Sequence, residues 1–254
     1  MIVTTPLRFS LISQSVETHS NAIGYACRML IRWLPLIAGI IPFVGVHVCY
    51  VIAVKHGFLP ACVPYVDGCT SISATGRYPP ASFLFRAIEL PFAAILLVIW
   101  YFTVEWLRAL RPGLSITAAV AILVSGGAGA LALVVYVTFL GTEEPFYEFM
   151  RRFGIYGYFV GTVLAQLFVA LSLRNARNEV LGKLPDVLLW LSLSPFALGL
   201  LNLAQKAVLA HAMADPLENS IEWFASTLMQ AYFVVLFFAW ARTGFDVRVR
   251  LRPR

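Results

Sequence analysis

Six long blocks of apolar residues, separated by short polar stretches, constrain this chain more than any other feature of its sequence. Five contain no Asp, Glu, Lys or Arg, and the second carries its charged residues only near its ends. Even the shortest blocks, of 19 residues, extend about 28 Å as helices, close to the hydrocarbon thickness of a bilayer. The pattern predicts an all-α integral membrane bundle of six transmembrane helices. We place the spans at residues 33–54, 84–107, 114–140, 153–173, 187–205 and 223–241.

Basic residues are distributed unevenly between the two sides of this bundle. Thirteen of the nineteen precede the first span, follow the sixth, or lie between spans two and three or four and five. By the positive-inside rule, both termini are expected in the cytoplasm. This divides the chain into a cytoplasmic arm (1–32), a transmembrane domain (33–241) and a basic cytoplasmic tail (242–254). Because topology accounts for the basic excess, we expect membrane lipids as partners and no nucleic acid.

Two cysteines, Cys62 and Cys69, fall in the first loop on the predicted outer side. An oxidising compartment favours a disulfide between them over two free thiols. We expect neither a metal site nor a cofactor, because His56 is the only histidine near this pair and no metal-ligand spacing is present.

Polar residues inside or beside the spans gather towards the outer side. Ionisable groups in a span are functional candidates by default, because burying them costs several kcal/mol. We expect this cluster to form one pocket for a lipid headgroup, with cations for a phosphate and carboxylates for hydroxyls or proton transfer. The candidates are His47, Arg86, Glu89, Asn202, Gln205, Lys206, His211, Glu222 and Gln230.

Structural explanations for the same residues remain open. Arg86 and Glu89 are close enough on one helix for a local ion pair, and Lys206 and Glu222 can reach water from the interface. His47 alone is typical of a hydrogen-bonded core histidine. Tryptophans near the span ends are expected to be interfacial anchors. They are Trp33, Trp106, Trp223 and Trp240.

Known catalytic motifs are missing from the sequence, which contains no HExxH, no GxSxG and no P-loop. If the protein is an enzyme, the alternative is an outer-leaflet lyso-lipid acyltransferase or lipase. Glu222 or Glu89 would then act as base, with Ser71 or Ser73 as nucleophile. A third hypothesis is a membrane adaptor in which the polar cluster only fixes helix register.

Small residues in spans three and four predict close helix packing within the chain. The third span contains SGGAGA at residues 125–130, and the fourth contains Gly157 and Gly161 on one face. The same residues could form a homodimer face, so neither the oligomeric state nor protein partners in the membrane follow from them.

Two segments resemble the Frag/DRAM/Sfk family of six-span membrane proteins. Residues 70–86 read TSISATGRYPPASFLFR and resemble the family pattern YISDTG..PPES..F. The last span begins with IEWF (221–224) and is followed by FDVRVR (245–250), similar to the family's EW or EY start and its DF exit with a basic tail. Ala74 and Ala81 stand where the family has Asp and often Glu. The matching positions are Ser73, Gly76, Pro79, Arg86 and Glu222.

The resemblance implies a role in lipid homeostasis. Its members include damage-regulated autophagy modulators and a Golgi protein required for GPI-anchor lipid remodelling, and no defined catalytic residues come with it. It adds Ser73 to the candidate lipid-binding residues. The preference for Arg over Lys and the compact loops favour a bacterial cytoplasmic membrane over a eukaryotic endomembrane such as the Golgi or lysosome.

Overall fold

The computed structural model describes residues 9–142, 144–174, 179–208 and 211–245, without the side chains of 9–30 and 211–214. Within these ranges the chain forms α-helices and no β-strand, and a short 3-10 helix (Glu179–Leu181) precedes the seventh α-helix. In chain order the helices are α1 (Phe9–Lys55), α2 (Pro64–Asp67), α3 (Ile72–Thr75), α4 (Ala81–Leu110), α5 (Ile116–Thr138), α6 (Pro145–Arg174), α7 (Leu184–Val208) and α8 (His211–Arg242).

Six of these helices contain segments long and apolar enough to cross a bilayer, which confirms the predicted fold class. The segments are Ile31–Lys55, Ala81–Leu110, Ile116–Thr138, Pro145–Arg174, Leu184–Val208 and Asp215–Arg242. Several helices extend beyond the uncharged blocks of the sequence. In α6, for example, Glu148 pairs with Arg152 at 2.6 Å before the apolar block begins. Helical backbone can continue into the headgroup region because long charged side chains there reach water. Likewise α1 begins at Phe9, within the predicted arm.

The membrane helices are arranged as a ring in the order α1, α4, α5, α6, α7, α8, with α8 closing against α1. The helix α7 is the most peripheral, and its buried residues are Leu188, Ser192, Pro195 and Gln205. The closest seam joins α5 and α6, where a Cβ added to Gly161 would lie 2.7 Å from the backbone nitrogen of Gly129. Such an approach requires glycine, and it confirms the packing within the chain predicted from the small residues.

The tryptophan prediction is wrong for three of the four residues. Trp106, Trp223 and Trp240 are at most 1% exposed, and only Trp33, at 46%, lies on the surface. Trp106 Nε1 donates to Thr243 Oγ1 at 2.9 Å. Position along a span indicates depth in the membrane and not which face of the helix a residue occupies, so an indole with an internal acceptor can pack inward.

Candidate functional site

The first interhelical loop, residues 56–80 (the disulfide loop), folds over one end of the bundle. Cys62 and Cys69 form the predicted disulfide, with their Cα atoms 6.6 Å apart. Tyr50, in α1, holds the loop from below: its hydroxyl accepts from the Cys62 backbone N–H at 2.9 Å and lies 3.0 Å from the Pro60 carbonyl oxygen. The short helices α2 and α3 lie within this loop, which is therefore an ordered cover.

The start of α8 attaches this cover to the membrane domain. Trp223 Nε1 donates to the Thr70 carbonyl at 2.9 Å, and Asn219 Nδ2 donates to the Gly68 carbonyl at 2.8 Å. Gly68 has φ +58°, and a Cβ there would overlap the Pro216 carbonyl oxygen, so only glycine allows this contact. The Glu222 carboxylate faces the backbone N–H groups of Ile72 and Ser73. The two segments that carry the family resemblance therefore meet in space.

Below the disulfide loop lies a cavity of about 40 Å³, surrounded by α1, α4, α5, α6 and α8 (the polar cavity). Its wall is partly apolar, including Phe85, Leu133 and Trp223. The rest of the wall carries groups that can donate or accept hydrogen bonds or titrate, which is unusual inside an apolar bundle. These are His47, Tyr65, Glu89, Tyr136, Tyr158, Glu222, Ser226, Thr227 and Gln230.

Three of these residues carry polar atoms that lack a hydrogen-bond partner among the described residues, although the Gln230 side chain also bonds to Tyr158. Glu89 is 6% exposed, and no hydrogen bond or ion pair to it is found in the described part of the chain. The Tyr136 hydroxyl and the Gln230 Oε1 atom also lack partners there, although their residues are 2% and 6% exposed. Because buried polar groups are nearly always satisfied, these atoms leave room in the cavity for a hydrogen-bonding partner such as a water or a ligand.

A chain of hydrogen bonds connects the cover to the cavity wall. Tyr65 Oη lies 2.8 Å from Thr227 Oγ1 and 3.1 Å from His47 Nε2. His47 Nδ1 donates to the Phe43 carbonyl at 2.7 Å, because a carbonyl can only accept. Burial raises the pKa of the Tyr65 hydroxyl above its usual value, although the Thr227 hydrogen bond acts in the opposite direction. This arrangement fixes Tyr65 between α1 and α8.

The structure brings four of the sequence candidates together and places the others elsewhere. His47, Glu89, Glu222 and Gln230 line the polar cavity. Arg86 points away, donating to the Leu140 carbonyl at 2.7 Å, and no ion pair with Glu89 forms between these two described side chains.

The remaining candidates lie outside the cavity wall. Ser73 lies in α3 with its Oγ 3.0 Å from Ser71 Oγ, so neither serine faces the cavity. On the peripheral α7, Gln205 donates to Asn202 at 2.8 Å and Lys206 pairs with Glu218 at 2.6 Å. The side chain of His211 lies outside the described residues.

Five polar residues of the cavity wall are absent from the sequence candidates: Tyr65, Tyr136, Tyr158, Ser226 and Thr227. Tyr136 is the only aromatic residue in α5, a signal that could have found it. Tyr158 and Thr227 carry no comparable signal, and Tyr65 reaches the cavity only through the fold of the disulfide loop. Among the described residues, no group of three or more His, Cys, Asp or Glu side chains is placed to hold a metal ion.

The fold and the cavity define an integral membrane protein of six helices with a covered polar site at one end. Residues 30–242 match the Frag1/DRAM/Sfk1/Cwh43P N-terminal domain. The chain belongs to this family, which confirms the resemblance seen in its motifs. No curated protein and no solved structure matches it. Because the family is of a eukaryotic type, the expectation of a bacterial membrane is not supported.

Proposed function

We propose that this protein handles membrane lipids by binding the headgroup of a phospholipid or of a GPI-like glycolipid in the polar cavity. One observation carries the proposal: Glu89, Tyr136 and Gln230 line a cavity inside an apolar bundle, and the Tyr136 hydroxyl and the Gln230 Oε1 atom are buried there without a partner among the described residues. Ionisable residues in a span are retained where they face a substrate or a water-filled space. The carbon atoms of a lipid also pack against the apolar side chains around the site.

Family membership supports a location for this activity. A eukaryotic-type family is consistent with a eukaryotic endomembrane, such as the Golgi or the lysosome. By the positive-inside rule, the disulfide loop then faces the lumen, where oxidising conditions favour the Cys62–Cys69 bond.

No observation favours the enzymatic alternative over binding. A lyso-lipid acyltransferase or lipase needs a nucleophile within reach of its base. The hydroxyls of Ser71 and Ser73 bond to each other outside the cavity wall, in which Glu89 lies. Glu222 is closer to Ser73 but faces its backbone N–H and not its hydroxyl.

Lipid retention tests the proposal. Native mass spectrometry of the purified protein measures bound lipid in wild type, Glu89→Gln and Glu222→Gln. The matched control is Glu105→Gln, on the same helix as Glu89 but exposed and paired with Arg108 at 2.6 Å. We expect about tenfold less lipid in both cavity variants, since losing a charged partner costs about 1.5 to 3 kcal/mol. The control should retain its lipid.

Unchanged lipid in both cavity variants would overturn this function. If the variants then alter only the unfolding temperature, the adaptor hypothesis accounts for the polar cluster better.

A further inference from the structure

The charge of the polar cavity points to the kind of headgroup that fits it. Glu89 and Glu222 are its carboxylates, and none of the described residues lining it is Lys or Arg. Arg86 donates to the Leu140 carbonyl. Arg77, which approaches Ser73 Oγ at 3.5 Å, and Arg151 act on the wall from outside it, Arg77 on Glu222 and Tyr136 and Arg151 on Tyr136. With two carboxylates and no Lys or Arg among its lining residues, the cavity suits a cation better than a phosphate, whose strongest side-chain partners are Arg and Lys.

Glu89 and Glu222 differ in how far the protein itself compensates them. Glu222 faces two backbone N–H groups and the positive charge of Arg77. The ionisable groups that interact with Glu89 are the thiol of Cys49 and the phenols of Tyr136 and Tyr158, none of them a cation. Glu89 is therefore the carboxylate of the cavity wall that no described cation compensates.

The groups around Glu89 are those that recognise an ammonium ion. Unpartnered oxygens of Tyr136 and Gln230 can accept hydrogen bonds from N–H groups. Aromatic side chains of Phe85, Tyr158 and Trp223 form part of the same wall, and ring faces attract cations. These features are independent of the carboxylates and point to the same ligand chemistry.

The size of the cavity limits the ammonium group to a small one. One water needs roughly 10 to 15 Å³ measured in this way, so about 40 Å³ holds about three waters. An ethanolamine unit, with its two carbons, one nitrogen and one oxygen, is of this size. A sugar or inositol ring with its hydroxyls is about three times larger, and a trimethylammonium group is bulkier than a primary amine.

We propose that the polar cavity binds the primary ammonium of a lipid headgroup of the ethanolamine type, with Glu89 as its counter-ion. The inference rests on the proposed function and narrows its ligand class. The phosphate of such a lipid lies outside the cavity, and its acyl chains lie against the apolar surface of the bundle, where Phe43 is 37% exposed.

Lipids with and without a primary amine in the headgroup test this inference. Delipidated protein is titrated in native mass spectrometry with phosphatidylethanolamine, its N-acetylated derivative and phosphatidylglycerol. We expect wild type and Glu105→Gln to bind the first about tenfold more tightly than the other two. Glu89→Gln should bind all three equally. Tyr136→Phe keeps the ring and removes one acceptor, and it should reduce the preference for phosphatidylethanolamine severalfold. If Glu89→Gln does not fold, this variant tests the inference in its place.

The possible results separate this inference from the function on which it rests. Equal wild-type binding of all three lipids, lost in Glu222→Gln, overturns the ammonium assignment and leaves headgroup binding in place. Binding that no cavity variant alters overturns both. Free ethanolamine serves as a competitor. If it displaces the lipid at a concentration equal to that of the lipid, the ligand is a free amine and not a lipid headgroup. Weak displacement supports a lipid ligand.

Discussion

Glu89 is a carboxylate about 12 Å along α4 from its start at Ala81, buried without a polar partner among the described residues. A side chain of this kind is costly to hold in a membrane domain. Three residues towards the helix start, Arg86 bonds to a backbone carbonyl and leaves Glu89 unpaired. The unpaired Glu89 carboxylate therefore lowers the free energy of unfolding, and binding of a ligand can offset this loss.

Replacing Glu89 with leucine should raise the stability of the lipid-free protein. An apolar side chain in place of an unpaired buried carboxylate is stabilising, and a gain of about 1 kcal/mol raises the unfolding temperature by about 2 to 4 °C. Thermal unfolding in detergent measures this, and Glu105→Leu at the exposed end of α4 should show little change. A fall of several degrees in Glu89→Leu would mean that the carboxylate holds the fold together.

Among the elements, α8 connects the disulfide loop to the membrane domain. Trp223 is central to this connection, since its indole donates to Thr70 and its ring lies 5.2 Å from His47 and 5.4 Å from Tyr65. The loop covers the cavity because these contacts hold it there.

Trp223→Phe tests this role of α8, because it keeps an aromatic ring and leaves the buried Thr70 carbonyl without its donor. Such a loss costs about 1 to 3 kcal/mol. We expect backbone hydrogen exchange in residues 62–75 to become about 5- to 150-fold faster. Trp33→Phe, at an exposed position stacked on Phe237, should leave this exchange unchanged. Equal protection in Trp223→Phe and wild type would show that the loop is held in some other way.

The seam between α5 and α6 fixes the far wall of the cavity, to which Tyr136 and Tyr158 belong. Gly161→Ala places a methyl group 2.7 Å from the backbone of Gly129, and we expect it to lower stability by about 1 to 3 kcal/mol. Gly199→Ala is the matched control, because no atom lies within 4 Å of the added Cβ on the peripheral α7. Its unfolding temperature should be unchanged or slightly raised. Similar unfolding temperatures for the two variants would contradict the tight seam.

For the whole molecule, the sequence predicts a single orientation. An N-glycosylation site inserted after Gly57, in the disulfide loop, should be modified in a eukaryotic cell, and the same insertion after Gly113 should not. Both glycines have open space around them, with no atom within 4 Å of an added Cβ. The positive-inside rule gives this result. Modification only at the site after Gly113 would show that the bundle has the opposite orientation.

Much of the fold could be predicted from the sequence, because a bilayer allows few alternatives to uninterrupted helices. Part of the site could be predicted too: His47, Glu89, Glu222 and Gln230 stand out as polar residues in apolar spans, and they share one cavity. The sequence does not show which face of a helix a residue occupies. Arg86 and the polar residues at the end of α7 are therefore among the sequence candidates, although they lie outside the cavity wall. Tyr65 was missed because its position depends on long-range contacts of a loop.

Cryo-electron microscopy of the protein in nanodiscs containing phosphatidylethanolamine can show whether a lipid headgroup occupies the polar cavity beside Glu89. We expect density for a headgroup between Glu89, Tyr136 and Gln230, continuous with an acyl chain on the surface of the bundle. An empty cavity, or one with only water-sized density while ordered lipids surround the helices, would contradict headgroup binding in the cavity.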